Sequence, residues 1–424
     1  MKKYLMLWAS QAVSALGTAM SNYALIVWVY GQNGSAGDLA RLSVFSLLPS
    51  ILFCFVAGAI ADRWDKKRIM LAADALAALG TAAVLLLYSL NRLQIWHLYA
   101  ISFLLSCMSA FQNPAAYVAT SLLVPQKHYV RAGGLAALSG SAVAILAPAL
   151  GGVVLAFGGL RAVLLIDLGT FAVAFCTLLF GIRLPAVEEK KDAPKETFLK
   201  SCAVGLSYLK KHGALLRIIL FFAGINLIAK MGSYGMLPAL ILARTGSDAG
   251  ALGAVEAAVG IGALVGSLLV TLAKPAKSRT RVVFLACGIS FVLGEPGMSL
   301  SRALPIWCIA ALLSNIPMAF LNANLTAIMR TQIPIALQGR VFAARDTIQY
   351  STIPIGLLLA GFLADDVLEP LMAGDSALQQ ALAPLFGAGQ GAGIAVMFFI
   401  VGVVGAGMSF IALRNKAYRT LDGD

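Results

Sequence analysis

The sequence predicts an all-α membrane protein: twelve transmembrane helices in two pseudo-repeated halves of six, arranged around a central cavity. Composition, the length of the apolar runs and the placement of basic residues each point that way. Of 424 residues, 60% are hydrophobic and 12% charged, and the mean hydropathy is +0.86. Soluble domains carry about 25% charged residues. A water-soluble globule, a disordered chain, a coiled coil and a disulfide scaffold are therefore excluded. The apolar runs exceed the roughly ten-residue alternating segments of an outer-membrane barrel. They reach the about 20 residues that a helix needs to cross ~30 Å of hydrocarbon.

Hydropathy places spans near 4–30, 39–61, 69–90, 95–122, 132–157, 161–183, 215–243, 249–273, 282–301, 304–330, 341–364 and 391–413. The first run follows Met1-Lys2-Lys3 as a signal peptide would. It continues past the usual ~15 apolar residues and carries Gln11, Ser14 and Asn22, so it reads as a span. Basic residues alternate by side. Arg41, Arg92, Arg161, Arg244 and Arg302 fall on one side and Lys230 lies within a span, while the remaining 26 of 32 Lys and Arg share the side of both termini. Positive charge stays cytoplasmic, so both termini are expected there. The net charge of +13 thus reports topology and not a nucleic-acid partner. Six cysteines stand singly with no CxxC or Cys/His spacing, as small core hydrophobes and not metal ligands.

The longest hydrophilic stretch, Leu184 to His212, falls near mid-chain. It opens with Pro185 and mixed charge, then turns amphipathic through Phe198, Leu199, Leu206 and Leu209, with Lys200, Lys210 and Lys211 placed to meet an anionic leaflet. This divides the chain into an N-terminal bundle (1–183), a linker with an interfacial helix (184–214) and a C-terminal bundle (215–424). Internal similarity supports the division. At an offset of 209, Ala110-Phe111 and Asn113 match Ala319-Phe320 and Asn322, Pro125 matches Pro334 and Arg131 matches Arg340. Pro148 pairs with Pro354 at 206. Parallel repeats with a site between them describe alternating-access transporters.

After the second span the chain reads Gly58-Ala-Ile-Ala-Asp62-Arg63-Trp64-Asp65-Lys66-Lys67-Arg68. Glycine permits close helix contact, an aspartate suits a helix N-terminus, and arginine forks onto a carboxylate. This resembles the loop signature of the major facilitator superfamily, G-x-x-x-D-R-x-G-R-R/K, with Asp65 where the pattern has glycine. In span five, Ala147-Pro148-Ala-Leu-Gly151-Gly152 resembles that superfamily's antiporter motif G-P-x-x-G-G, with Ala147 replacing the first glycine. Proline bends the span, and the glycine pair lets a helix pack on the bend. Trp8-Ala-Ser-Gln11, Asp167, Gly339-Arg340-Val-Phe342 and Pro354-Ile-Gly356 through Asp365 extend the resemblance to bacterial macrolide-efflux and drug-efflux exporters. Related sequences include siderophore and lysophospholipid transporters.

The resemblance implies a gating cluster (Gly58, Asp62, Arg63, Lys66, Lys67, Gly339, Arg340) and an exporter motif (Pro148, Gly151, Gly152). A charge at a helix centre costs about 2.5–3.5 kcal/mol on insertion scales and is a functional candidate by default. Asp167, Glu256, Glu295 and Lys230 are the candidates for proton coupling, with a Lys230–Glu256 pair expected in one state. Asp74 is expected to bridge to the Arg63/Lys67 cluster. Gln11, Asn22, Tyr23, Asn113, Asn226 and Asn322 are candidates for lining the substrate cavity. No HExxH, GxSxG or GxxxxGK[ST] occurs, so neither an enzyme nor an ATP-driven pump is expected, and no cofactor or metal. The expected partners are protons, the lipid bilayer and a small amphiphilic substrate, carried by a monomer. A non-transporting membrane sensor is the rival from another class.

Overall fold

The computed structural model describes residues 2–63, 65–125, 129–182, 198–274 and 276–422, all helix and connecting loop with no strand among them. Ten helical stretches among these are long and apolar enough to cross a bilayer. They do not by themselves establish the expected count of twelve. Phe157, 92% exposed, is what a chain solvated by lipid displays, since acyl tails are as apolar as its own core.

By its internal contacts the chain divides into two units. Unit 1 holds residues 1–33 and 41–194, and contains α1 (Lys2–Asn33), most of α2 (Ala36–Arg63), α3 (Lys66–Ser89), α4 (Ile95–Leu123) and α5 (Tyr129–Cys176). Helix α1 packs along α5, and α3 lies against α4 and α5. Two expected spans, 132–157 and 161–183, form one element, broken where Gly159 takes φ 65° and ψ −178°. That region of backbone space is nearly glycine-only. The Lys67 ammonium donates to the carbonyls of Leu179 (2.8 Å) and Ile182 (2.7 Å), where the last helical turn ends. A cation suits that end of a helix.

Unit 2 holds residues 34–40 and 195–424. Its elements are α6 (Phe198–Lys211), α7 (Gly213–Met231), α8 (Ser233–Thr245), α9 (Ala249–Leu272), α10 (Arg279–Leu300), α11 (Leu304–Gln332), α12 (Ile335–Tyr350), α13 (Thr352–Phe362), α14 (Glu369–Ala373), α15 (Ala377–Phe386) and α16 (Ala392–Arg414). Helix α10 is central, packed against α11 and α16, while α13 lies on α7. Helix α6 is the amphipathic end of the linker. Leu209 is buried, Lys210 and Lys211 are exposed, and the Tyr208 hydroxyl donates to the Gln332 carbonyl at 2.9 Å.

Helix ends in this unit are satisfied by charged side chains from distant elements. Asp365 accepts from Ser35 Oγ (2.7 Å) and from the backbone N–H groups of Ala36 (3.0 Å) and Gly37 (2.8 Å) at the start of α2. Glu369 accepts from the N–H groups of Gly391 and Ile394 at the start of α16. Arg244 donates to the carbonyls of Ser299 and Ser301 at the end of α10, and to that of Phe386 at the end of α15. The start of α10 is held by Asp422, which accepts from Ser278 Oγ (2.6 Å), Thr280 N (2.8 Å) and Thr280 Oγ1 (2.7 Å). Partial burial works upward on the Asp422 carboxyl, but these hydrogen bonds outweigh it and leave its pKa below the ordinary aspartate value. A carboxyl with a depressed folded pKa contributes stability above its unfolded pKa and loses it as pH falls through the folded value. The protection of the backbone amides of residues 416–422 against hydrogen exchange, relative to their intrinsic rates, should accordingly fall on acidification below the ordinary aspartate range. Asp422→Asn should show the lower protection already at neutral pH.

Candidate functional site

Polar residues recur on α1 at helical spacing: Gln11, Ser14, Thr18 and Ser21 share one face. That face, with parts of α3, α4 and α5, lines a half-open chamber of about 430 Å³ within unit 1. Two carboxylates reach it, Asp74 from α3 (5% exposed) and Asp167 from α5 (1% exposed). Asp74 accepts from Gln112 Nε2 at 2.6 Å and from Gln11 Nε2 at 3.3 Å. Asp167 accepts from Thr18 Oγ1 at 3.3 Å and from Thr81 Oγ1 at 3.2 Å. No Lys or Arg among the described residues is bonded to either acid. Buried charge is ordinarily paired, so two acids held only by neutral donors mark the chamber as a place for something positive or for protons.

A second, apolar chamber of about 720 Å³ lies beside the first in the same unit. Ile69, Ala72 and Phe111 line it, Asp65 and Arg68 stand at its charged side, and Ala73 and Met108 border both chambers. Close packing shapes these walls. A Cβ on Gly17 would meet Thr170 and come within 3.1 Å of Asp167 Oδ1, so glycine lets α1 seat against the acid's helix.

Several sequence expectations find a place here. Gln11 and Asn22 line the polar chamber. Pro148, Gly151 and Gly152 are buried, and Gly151 lies under Tyr23 and the Met20 backbone, so the motif forms the α1–α5 contact. Among the described residues Asp74 makes no bridge to the basic cluster, the Arg63 side chain lying outside them. Gln11 and Gln112 occupy its oxygens, and Lys67 is spent on carbonyls. Helix α2 contains Gly58, Asp62 and Arg63, α4 contains Asn113, and α12 contains Gly339 and Arg340, but their side chains lie outside the described residues. Lys66 is half-buried. Asn226 donates to the Gln349 carbonyl at 3.1 Å, a tie between helices, and Asn322 is exposed. Thr18, Ser21, Thr81 and Gln112 escaped the sequence reading. Hydroxyls and amides are common in spans, and only proximity to an acid distinguishes these.

The remaining charges lie in unit 2, around a break in what hydropathy presents as one span, 215–243. At Gly232 the backbone turns extended (φ −110°, ψ −141°), and α8 begins anew. Glu295, 2% exposed, accepts from Ser233 N at 3.1 Å and Ser233 Oγ at 3.0 Å, closing the new N-terminus. A Cβ at Gly232 would strike this carboxylate at 2.8 Å. Lys230 does not pair with Glu256 in this structure; its ammonium donates to the Tyr234 carbonyl at 3.0 Å. In a regular helix that carbonyl would accept from residue 238, which is Pro238 and has no N–H. Lys230 thus replaces the donor that proline lacks. Glu256 is half-buried with no bonded partner among the described residues. Lys230→Met should destabilise the protein by about 1–3 kcal/mol, the cost of a buried unsatisfied group. In a Pro238→Ala background, where the N–H returns, the same change should cost much less. Thermal unfolding in detergent of the four proteins checks the coupling.

The chain matches the Major Facilitator Superfamily model over residues 7–357, and it belongs to that superfamily of membrane transporters. It is 25% identical to macrolide efflux protein A of Streptococcus pyogenes over 370 residues, covering 86% of this chain and 90% of that one. It is 24% identical to the multidrug efflux pump Tap of Mycolicibacterium fortuitum over 375 residues, 85% and 88% of the two chains. It is 26% identical to the enterobactin exporter EntS of Shigella boydii over 288 residues, 68% and 67%. Among solved structures the nucleoside transporter NupG superposes with a TM-score of 0.71 at 12% identity, covering 98% of this chain and all of that one. A bacterial homologue of the iron transporter ferroportin in an inward-facing state gives 0.67 at 12% identity, covering 98% and 99%. These likenesses carry the fold alone.

Proposed function

We propose that the protein is a secondary exporter of amphiphilic or hydrophobic small molecules, macrolide-like drugs among them, driven by exchange against protons. The observation that carries this reading is the pair of adjoining chambers in unit 1. An apolar space of about 720 Å³ can receive a greasy body, and a polar space of about 430 Å³ offers two acids without a cation. Buried acids of that kind are the usual means by which transporters move protons. The efflux proteins among its relatives, and the proline–glycine motif on α5, favour export over import. The gating cluster around Asp62 and Arg63, with Gly339 and Arg340, is proposed to bias the exchange between conformations and not to touch cargo. The same reading has the protein in a bacterial cytoplasmic membrane with both termini inside; the bias of its basic residues supports the orientation and its bacterial relatives the membrane.

Overexpression in a drug-sensitive host should raise resistance to amphiphilic drugs several-fold. An uncoupler should abolish the difference, while inverted vesicles with a collapsed gradient should not take up drug when supplied with ATP. Undiminished ATP-supported uptake would overturn the reading. The enterobactin exporters among its relatives favour a second reading, export of an amphiphilic siderophore. It predicts unchanged drug resistance and increased siderophore release from the same strain.

A further inference from the structure

The two acids of the polar chamber sit among chemically different partners. Asp74 and Thr81 are seven residues apart on α3, as Gln11 and Thr18 are on α1. At 1.5 Å per residue this sets two stations about 10 Å apart along the chamber. At the first, both Asp74 oxygens receive amide N–H groups, from Gln11 and Gln112, the amide orientation being an assignment. An N–H can only donate. A protonated Asp74 would set its own O–H against a donor, so this station suits the anion.

At the second station Asp167 meets hydroxyls alone, Thr18 on one oxygen and Thr81 on the other. A hydroxyl donates to a carboxylate and, after rotation, accepts from a carboxylic acid. One further hydroxyl bears on the choice. Ser21 Oγ, in a residue 4% exposed, stands beside the Asp167 carboxyl as a third hydroxyl of this station. Like the threonines it can donate to the carboxylate and, after rotation, accept from the neutral acid. The charged and titratable groups lining the chamber are these two acids, with none contributed by α1 or α4 among the described residues.

We propose that Asp167 is the group that takes up and gives up the coupling proton, with Ser21 accepting from its neutral form, while Asp74 stays ionised as the chamber's fixed negative charge. The proton passes between the Asp167 carboxyl and water, and no bond other than O–H is made or broken. The assignment rests on the proton-driven reading above, yet it is testable without knowing the substrate.

The test is an infrared pH titration of the full-length protein in liposomes, reading the C=O stretch of buried protonated carboxyls. The wild type should show a band that disappears as pH rises. Asp167→Asn should lose it, Asp74→Asn should keep it, and Ser21→Ala should shift its frequency by removing the acceptor. Should Asp167→Asn fail to fold, Asp167→Glu should retain a displaced band. A titrating band unchanged by Asp167→Glu and Ser21→Ala, or one lost in Asp74→Asn, overturns the assignment. So does a band discharged by sodium at constant pH, which would make the hydroxyl cage a sodium site. A band at Asp167 without gradient-driven efflux would leave this assignment standing and remove the exporter reading instead.

Discussion

Within a bilayer, a backbone N–H or C=O released from a helix has no water to turn to, and each unsatisfied group costs several kcal/mol. That constraint accounts for the placement of seven charged side chains in this protein. Asp365, Glu369, Glu295 and Asp422 each close the N-terminus of a helix other than their own. Arg244, Lys67 and Lys230 each close carbonyls. The signs follow the helix dipole, acids at N-terminal ends and cations at carbonyl ends. Breaks such as Gly232 are tolerable because a side chain from elsewhere takes up what the break sets free.

Against that background the chamber acids stand apart. Among the described residues Asp74 and Asp167 close no helix end and meet no cation; amides hold one and hydroxyls the other. A polar group fully committed to backbone has little freedom to bind or release anything. Glu256, half-buried and with no bonded partner among the described residues, likewise stands outside the capping scheme. The sequence offers Glu295 beside Asp167 as a protonation site and Lys230 as the partner of Glu256 in one state. In this structure Glu295 accepts from Ser233 and Lys230 donates to the Tyr234 carbonyl, both at the broken span 7.

The apolar chamber lies beside the polar one. Its wall is made of small and adaptable side chains, Ala72, Ala73, Met108 and Phe111. Flexible methionine and flat aromatic surfaces repack around varied ligands, which suits a family whose relatives include pumps for chemically unlike compounds.

Hydropathy is a property of neighbours along the chain, so the spans, the basic bias and the linker helix were legible in the sequence. So were the loop and proline–glycine motifs, whose residues lie within a few positions of one another. The partners of the buried charges were not. Asp74 finds Gln11 across 63 residues, Asp167 finds Thr18 across 149, and Glu295 finds Ser233 across 62. Nothing local announces such pairs, since any amide or hydroxyl in a span is an equally good donor on paper. Even the partner that Lys230 has here, only four residues away, is not announced locally, because the need for it arises at Pro238 and in the turn of the backbone at Gly232. Linear pattern established that this chain crosses a membrane and which superfamily it resembles. Which charges serve the backbone and which remain free for a ligand was decided only by three-dimensional packing, because a hydrogen bond depends on ångström distances that sequence separation does not encode.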